Sequence, residues 1–249
     1  MPACIYCRCQ TDGSEGRSHM IPEAIGKNDV VLPPGSICDR CNNYLGSLDR
    51  AVAEHRDISF AIQAFSLQGK DGKMRRRLGV LERIGPANST TIQIKGEFFE
   101  RLEVQGGRII ADLRDAPGWN AAKFNRGLHH IAFNFLALIS SSEVVLRDSF
   151  DAVRRYIRSP KKGEVWPYLT CRVGDKPNRR IQVSNLNGAP GTSIGLQLFH
   201  LCFVVNLASH REGDMESIRE WIEGRTTPGT PWMTVDYKRG TIQAKKSAG

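Results

Sequence analysis

The sequence lacks long apolar runs, a secretory signal and glycine-rich phosphate-binding motifs. Its longest largely apolar stretch, residues 194–208, is interrupted by Gln197, His200 and Asn206. It is therefore shorter than the roughly 18 consecutive apolar residues that a membrane span needs, and we expect no membrane partner. No basic segment followed by an apolar one is evident near Met1, so we expect a cytoplasmic location. The absence of P-loop and dinucleotide-binding motifs and of internal repeats disfavours those classes as well.

Positive charge is present but unevenly distributed. The 249 residues carry a formal net charge of +9. Residues 1–55 contain five basic and seven acidic side chains, which leaves 30 basic and 19 acidic side chains in the remainder. A net-basic surface favours a polyanionic partner, so the second part indicates nucleic-acid binding, with solubility alone as the plain alternative.

Seven cysteines are present, and five of them lie in the first 41 residues. Because the number is odd and no secretion signal is visible, a disulfide framework is not expected. Cys4 and Cys7 form one C-x-x-C pair, and Cys38 and Cys41 form a second. Two such turns can close a tetrahedral four-sulfur site suited to Zn²⁺, with no open position, so the ion would be structural. Cys9 is an alternative to Cys7, although "CIYC" has the better spacing.

The segment between the two cysteine pairs predicts a strand–turn–strand arrangement, followed by a helix. "SHMIPEAIG" contains His19, and "KNDVVLPPGSI" is a short apolar piece that ends in a Pro-Pro-Gly turn. Residues 42–55 have apolar side chains at helical spacing. A segment this short has too little core to fold alone, and a structural Zn²⁺ can contribute roughly 10–16 kcal/mol toward its folding.

This order of elements resembles the HNH endonucleases, also called ββα-metal or His-Me finger nucleases. The similarity is to the subgroup with a four-cysteine zinc site. It rests on the two C-x-x-C pairs, on His19 followed by "IPEAIG", and on Asn42 directly after Cys41. It covers residues 4–55 only, and the rest of the chain resembles no family that we recognise.

The resemblance implies catalytic roles for two residues. His19 would be the general base that takes a proton from the water attacking the scissile phosphate, a task that a neutral imidazole performs well. Asn42 would be an oxygen ligand of a catalytic Mg²⁺ or Mn²⁺, which stabilises the leaving 3′ oxygen. The products would carry 5′-phosphate and 3′-hydroxyl ends.

One position departs from the pattern of the family. An acidic residue or a histidine normally precedes the base and helps to hold the metal, but this chain has Ser18. Asp49 could substitute, because it lies seven residues after Asn42 on nearly the same helix face. Glu15 or Glu23 could instead reach in from the loop. In the third alternative the site is inactive, and a zinc-stabilised DNA-binding module remains.

The remaining chain predicts a mixed α+β domain. Short strand-like segments fill residues 56–115, among them "ISFAIQAF" at 58–65. Amphipathic helices are predicted at 120–141 and 148–159, and in the former one of the two histidines at 129 and 130 is expected to pack and the other to face water. Further strands are predicted at 164–173, 179–186, 193–207 and 232–244, with a short helix at 215–224.

Basic residues in this second part could hold backbone phosphates and add affinity without reading sequence. The candidates are Lys73, Arg75, Arg76, Arg77, Arg179 and Arg180.

The sequence thus predicts an α+β protein with an HNH-type module at residues 1–56 and a basic α+β domain at residues 57–249. The expected activity is metal-dependent hydrolysis of DNA, most simply double-stranded DNA, with structural Zn²⁺ and catalytic Mg²⁺ or Mn²⁺. Because such modules nick one strand each, a homodimer could cut both. The alternatives are a non-catalytic zinc-containing DNA-binding protein and an RNA-directed nuclease.

Overall fold

The fold combines helices with antiparallel sheets, in agreement with the predicted α+β class. The computed structural model describes residues 2–11, 17–26, 29–68, 73, 77–84, 91–105, 108–173, 178–225, 233–236 and 241–243. Within those ranges, no helix has both the length and the apolar character that crossing a membrane requires.

The N-terminal part consists of short bridges followed by a helix. Ala3 pairs with Gln10, and His19 pairs with Val31 in an antiparallel bridge. Helix α1 then spans Asp39–Ala53, three residues earlier than the predicted start at Asn42. The difference arises because the second C-x-x-C turn is itself helical, with Cys38 in an extended conformation as the N-cap residue.

The predicted strand at residues 58–65 is wrong, because helix α2 spans Arg56–Ala64. Ile58, Ala61 and Ile62 are buried at helical spacing, so one apolar face of the helix meets the core. A short apolar segment of this kind fits both a helix and a strand, and the tertiary packing decides between them.

Two small sheets follow α2. The first has the order β1-β2-β3 and contains Arg77–Leu78, Leu81–Arg83 and Ile92–Ile94. The second is a hairpin of β4, Phe99–Gln105, and β5, Arg108–Leu113. The prediction of short strands in residues 56–115 is therefore confirmed from residue 77 onward.

The helices predicted near residues 120–141 and 148–159 are confirmed. Helix α3 spans Ala121–Ser140, and its Asn120 N-cap side chain accepts a hydrogen bond from the Lys123 backbone N–H. A short helix α4 at Ser142–Val145 leads through a 3₁₀ turn to α5 at Asp151–Arg158. Because α3 is buried on most sides, its neighbours belong to both the N-terminal and the C-terminal parts.

The C-terminal part is an antiparallel sheet with the strand order β11-β10-β6-β9-β8-β7. The predicted strand at 193–207 is a tight hairpin, because the chain reverses at Phe199, whose φ is +60°. Helix α6, Glu212–Glu223, packs on the opposite face of the sheet from α3. The strands are β6 Tyr168–Arg172, β7 Ile181–Asn185, β8 Ser193–Leu198, β9 Leu201–Asn206, β10 Met233–Asp236 and β11 Thr241–Gln243.

One continuous hydrophobic core runs from the cysteine turns through α1 and α3 to the inner face of the sheet. Helices α1 and α3 approach closely at Gly127, where a Cβ atom would lie 2.4 Å from Val52 Cγ2 and 3.0 Å from the Leu48 carbonyl oxygen. The division into 1–56 and 57–249 stays a prediction, and the core crosses that boundary without a break.

Candidate metal centre and its surroundings

Four cysteine sulfurs form a compact cluster at the N-terminal end of α1. The Sγ atoms of Cys4, Cys7, Cys38 and Cys41 all lie within 4.8 Å of one another. Four sulfurs at the usual Zn–S distance of about 2.3 Å would be about 3.8 Å apart in a tetrahedron, so small side-chain adjustments suffice for Zn²⁺. These cysteines are therefore close enough to hold a metal ion such as zinc.

The backbone around the first cysteine pair is folded for this role. The Arg8 N–H donates to the Cys4 carbonyl at 2.8 Å, and Arg8 adopts a positive φ of 59° that closes the turn. The Cys4 N–H donates to the Cys9 carbonyl at 2.8 Å. Cys9 is exposed and outside the cluster, but its Sγ lies 3.0 Å from that of Cys7.

The cluster favours thiolate at one position even without an ion. The pKa of the Cys4 thiol is lowered to about 4, first because the Cys41 thiol donates to it and then because nearby backbone N–H groups do. The pKa of Cys41 is raised for the converse reason, since it supplies the shared proton. A metal ion would replace these shared protons.

His19 lies on the short antiparallel pair that precedes α1. The Met20 N–H donates to Val30 at 2.9 Å and the Leu32 N–H to Ser18 at 2.8 Å, which holds the backbone on both sides of the histidine. The His19 side chain is 17% exposed, and its Nε2 lies 3.4 Å from Glu23 Oε1. Its Nδ1 is enclosed and without a hydrogen-bond partner among the described residues, so the accessible edge of the ring is the one that carries Nε2.

The other predicted metal ligands lie on α1. Asn42 is half-buried in the first turn, where its N–H donates to the Cys38 carbonyl at 2.9 Å, so its backbone position is fixed by the cysteine turn. Asp49 Oδ1 lies 3.3 Å from Nε2 of His130, a distance suited to an ion pair without hydrogen-bond alignment. Of the other carboxylates considered, Glu23 contacts His19, and Glu15 lies outside the described residues. Ser18 is buried.

A buried polar network that the sequence did not predict connects the cysteine turn to α3. The Tyr6 hydroxyl lies 2.6 Å from His130 Nδ1 and donates to Asn134 Oδ1 at 2.8 Å. Asn134 Nδ2 donates in turn to the His19 carbonyl at 3.2 Å. Burial raises the pKa of Tyr6, which keeps the hydroxyl protonated.

The histidines at 129 and 130 are both buried, so the prediction that one of them faces water is wrong. α3 has neighbours on nearly all sides, and no face of it near these positions is left to solvent. A local signal was present, since two adjacent histidines in an apolar helix require partners, but the partner Tyr6 is 124 residues away.

The predicted basic contacts divide into those that the structure describes and those that it does not. Lys73 is exposed, whereas Arg75 and Arg76 lie outside the described residues, and only the backbone of Arg77, in β1, is described. Arg179 is exposed, lies over the ring of Phe65 at 5.5 Å and donates to its carbonyl. Arg180 is exposed beside β7, where its guanidinium donates to Gln182.

Comparison with known proteins gives no relatives: no protein-family model matches the chain, and neither a curated protein nor a solved structure is detectably similar to it.

Proposed function

We propose that the protein is a metal-dependent endonuclease that hydrolyses DNA phosphodiester bonds through an HNH-type module at its N-terminus. The observation that carries the proposal is the order of the elements that hold His19, the cysteine cluster and α1. The histidine lies on a short antiparallel pair, and the next element is a helix whose first turn belongs to the four-cysteine site. This is the strand–strand–helix order that the resemblance implies.

The surroundings of His19 suit a general base. Its accessible edge carries Nε2, which can accept a proton from an attacking water. The carboxylate of Glu23, 3.4 Å away, would stabilise the imidazolium that results.

A divalent cation fits this site only through oxygen ligands. The Asn42 amide oxygen, directly after Cys41 of the cysteine cluster, is one candidate, and Glu23 is a carboxylate in contact with the histidine. When bound, Mg²⁺ or Mn²⁺ would supply charge stabilisation to the leaving oxygen. Asp49 Oδ1 contacts His130, so a ligand role for Asp49 would fall to its other oxygen, Oδ2.

His19→Ala tests the proposal. Supercoiled plasmid is incubated with each variant and Mg²⁺ or Mn²⁺, and DNA binding is measured separately by gel shift. We expect His19→Ala to lower nicking by at least about a hundredfold while binding persists, since general-base catalysis contributes about 10²–10⁴. The matched control is His210→Ala, which removes an exposed histidine in the C-terminal part. Wild-type protein that never nicks DNA, or equal nicking by His19→Ala, would overturn the proposal.

A specific observation favours the alternative of a non-catalytic zinc-containing DNA-binding protein. Ser18 stands where the family has a metal-binding side chain, and Asp49 is engaged with His130. This alternative gains support if DNA binding is strong and no divalent ion permits cleavage. Parallel assays on duplex DNA, single-stranded DNA and RNA decide between a DNA-directed and an RNA-directed nuclease.

A further inference from the structure

A cavity of about 350 Å³ lies on the outer face of the six-stranded sheet, beside the C-terminal end of α6. This volume falls in the range of small-molecule sites. Three neighbouring strands, β7, β8 and β9, form its floor. Alternate residues of a strand point to the same face of a sheet, so the residues of the floor lie in rows across these strands. Gln182, Gln197 and Cys202 form one row across the strands, and Ser184 and Gly195 begin the next.

Gly195 keeps the floor of this cavity open. A Cβ atom at this position would lie 3.3 Å from both Ser184 Oγ and Leu186 Cδ2. Any larger side chain would therefore extend into the space itself. Ser184 Oγ and Gln197 Oε1 make no hydrogen bond to the part of the chain that the structure describes, whereas Gln197 Nε2 donates to the Phe199 carbonyl at 3.0 Å. The floor thus presents one hydroxyl and one amide oxygen to a ligand.

Two arginines lie at the rim. The Arg180 side chain is held by Gln182 Oε1, which accepts from Nε at 2.9 Å and from Nη2 at 2.5 Å. The Arg225 guanidinium lies over the ring of Trp221, with 4.3 Å between its Cζ and the ring centroid. Among the described residues that line the cavity none is acidic, so a bound anion would not compete with a carboxylate from that part of the chain. The rim is thus built to receive negative charge.

The walls between the arginines are apolar and aromatic. Trp221, Leu186 and Val204 pack together next to the cavity. A ligand that matches all of these features has a flat apolar ring, polar atoms along its edge and an anionic group at one end. Nucleotides have this chemistry, and proteins bind unpaired bases through stacking and through hydrogen bonds to their edges.

We propose that this cavity is a nucleotide-binding site. The base lies against the Trp221 wall with its polar edge toward Gln197 and Ser184, and the phosphate lies between Arg180 and Arg225. The nucleotide could be a free mononucleotide or an unpaired nucleotide within a strand. The site is separate from the cysteine cluster and does not require that His19 be catalytic.

Direct binding measurements test this inference, without added Mg²⁺ or Mn²⁺ so that no cleavage intervenes. One arm uses the four deoxynucleoside 5′-monophosphates in calorimetry. The other arm uses a fluorescein-labelled DNA duplex with one central unpaired nucleotide, compared with the fully paired duplex.

The variants are Gly195→Leu, which fills the cavity, and the double change Arg180→Gln with Arg225→Gln. The matched control removes the same charge outside the cavity, by Arg114→Gln with Arg211→Gln, and thermal melts verify that each variant is folded.

We expect wild type to bind the mononucleotides or to prefer the unpaired duplex. Both cavity variants should weaken that binding by about tenfold or more, while the control should not. Gly195→Leu occupies the space of the ligand, and the arginine pair loses charge-assisted contacts that are each worth about that factor. Mononucleotide binding identifies a free ligand, and a preference seen only with the duplex identifies a nucleotide within a strand. The inference is overturned if neither probe binds preferentially, or if both cavity variants bind as the control does. Failure of nicking by wild type would leave these outcomes unchanged.

Discussion

The N-terminal part and the six-stranded sheet are stabilised by different physical means. The described residues of the N-terminal part form isolated bridges, helix α1 and a sulfur cluster, and a Tyr6–His130–Asn134 network of polar contacts joins them to α3. The sheet is stabilised by long strand pairs and two apolar layers. The candidate chemistry therefore lies in the part whose four cysteines could hold a metal ion, and the candidate nucleotide pocket lies on the sheet. Each of the following substitutions tests the cysteine cluster of the N-terminal part, the buried helix α3 or the contact between them.

Cys38→Ser should have the largest effect. It removes a sulfur from the cluster and should abolish zinc binding, whose apparent free energy is on the order of 10 kcal/mol in structural sites. We expect loss of bound zinc and cooperative melting of the N-terminal part at low temperature. Metal analysis with circular dichroism melts measures both. Cys9→Ser is the matched control, because Cys9 is exposed and outside the cluster, and it should retain zinc. Equal zinc content in the two variants would contradict the assignment of Cys38.

The pH dependence of stability should distinguish the buried histidine His129 from the cysteine cluster. Burial lowers the pKa of His129 to about 4, against only partial compensation from its hydrogen bond to the Asn125 carbonyl. The unfolded chain binds a proton near its ordinary pKa of about 6.5. Above pH 6.5 the neutral His129 therefore does not lower the free energy of unfolding. As the pH falls from 6.5 toward 4, the free energy of unfolding decreases by about 3 kcal/mol in total.

Release of a metal ion from the four cysteines at low pH would act in the same direction, so wild type alone cannot separate the two causes. His129→Leu removes the titrating group, and denaturant unfolding at several pH values should show a shallower loss below pH 6.5 than in wild type. His210→Leu, at an exposed position, should leave the wild-type slope unchanged. If His129→Leu has the wild-type slope, the acid sensitivity belongs to the cysteines and the remaining histidines.

Sequence patterns predicted the parts of this protein that depend on local spacing. Helix α3 was predicted within one residue at each end, because its apolar side chains recur at helical spacing over its whole length and Asn120 caps its N-terminus. The cysteine cluster followed from two C-x-x-C pairs. Helix α2, which contains Ile58, was missed because its short apolar segment fits both the helical and the strand period. The hairpin turn at Phe199 was missed because a residue other than glycine adopts the positive φ there.

The long-range features had no local signal. The contact of Tyr6 with His130 joins residues 124 positions apart, and the cavity next to Gly195 depends on the register of three strands. Whether the N-terminal part is a nuclease stays a proposal that rests on the resemblance and on the surroundings of His19.

Gly127→Ala should weaken the contact between helix α1 of the N-terminal part and helix α3. Its Cβ atom would lie 2.4 Å from Val52 Cγ2 and 3.0 Å from the Leu48 carbonyl oxygen, so α1 and α3 must separate or shift. Overpacking of this kind typically costs about 1–3 kcal/mol, which chemical denaturation can measure. The matched control is Gly46→Ala on α1, where no described atom outside the local helix backbone lies within 4 Å of the added Cβ. There we expect a gain of about 0.5–1 kcal/mol from helix propensity, so two identical changes should have opposite signs. Equal effects would show that the helices do not pack as described.

Tyr6→Phe should have the smallest effect, and it isolates the polar part of the same contact. The change removes the hydroxyl that lies 2.6 Å from His130 Nδ1 and donates to Asn134 Oδ1, while the ring keeps its packing against Phe133. Because two buried polar atoms lose their partner, we expect a loss of about 1–2 kcal/mol, measured by chemical denaturation. Tyr44→Phe is the matched control, since Tyr44 is 37% exposed and water can replace its hydroxyl contacts. A loss for Tyr6→Phe no larger than for Tyr44→Phe would mean that apolar packing alone joins the cysteine turn to α3.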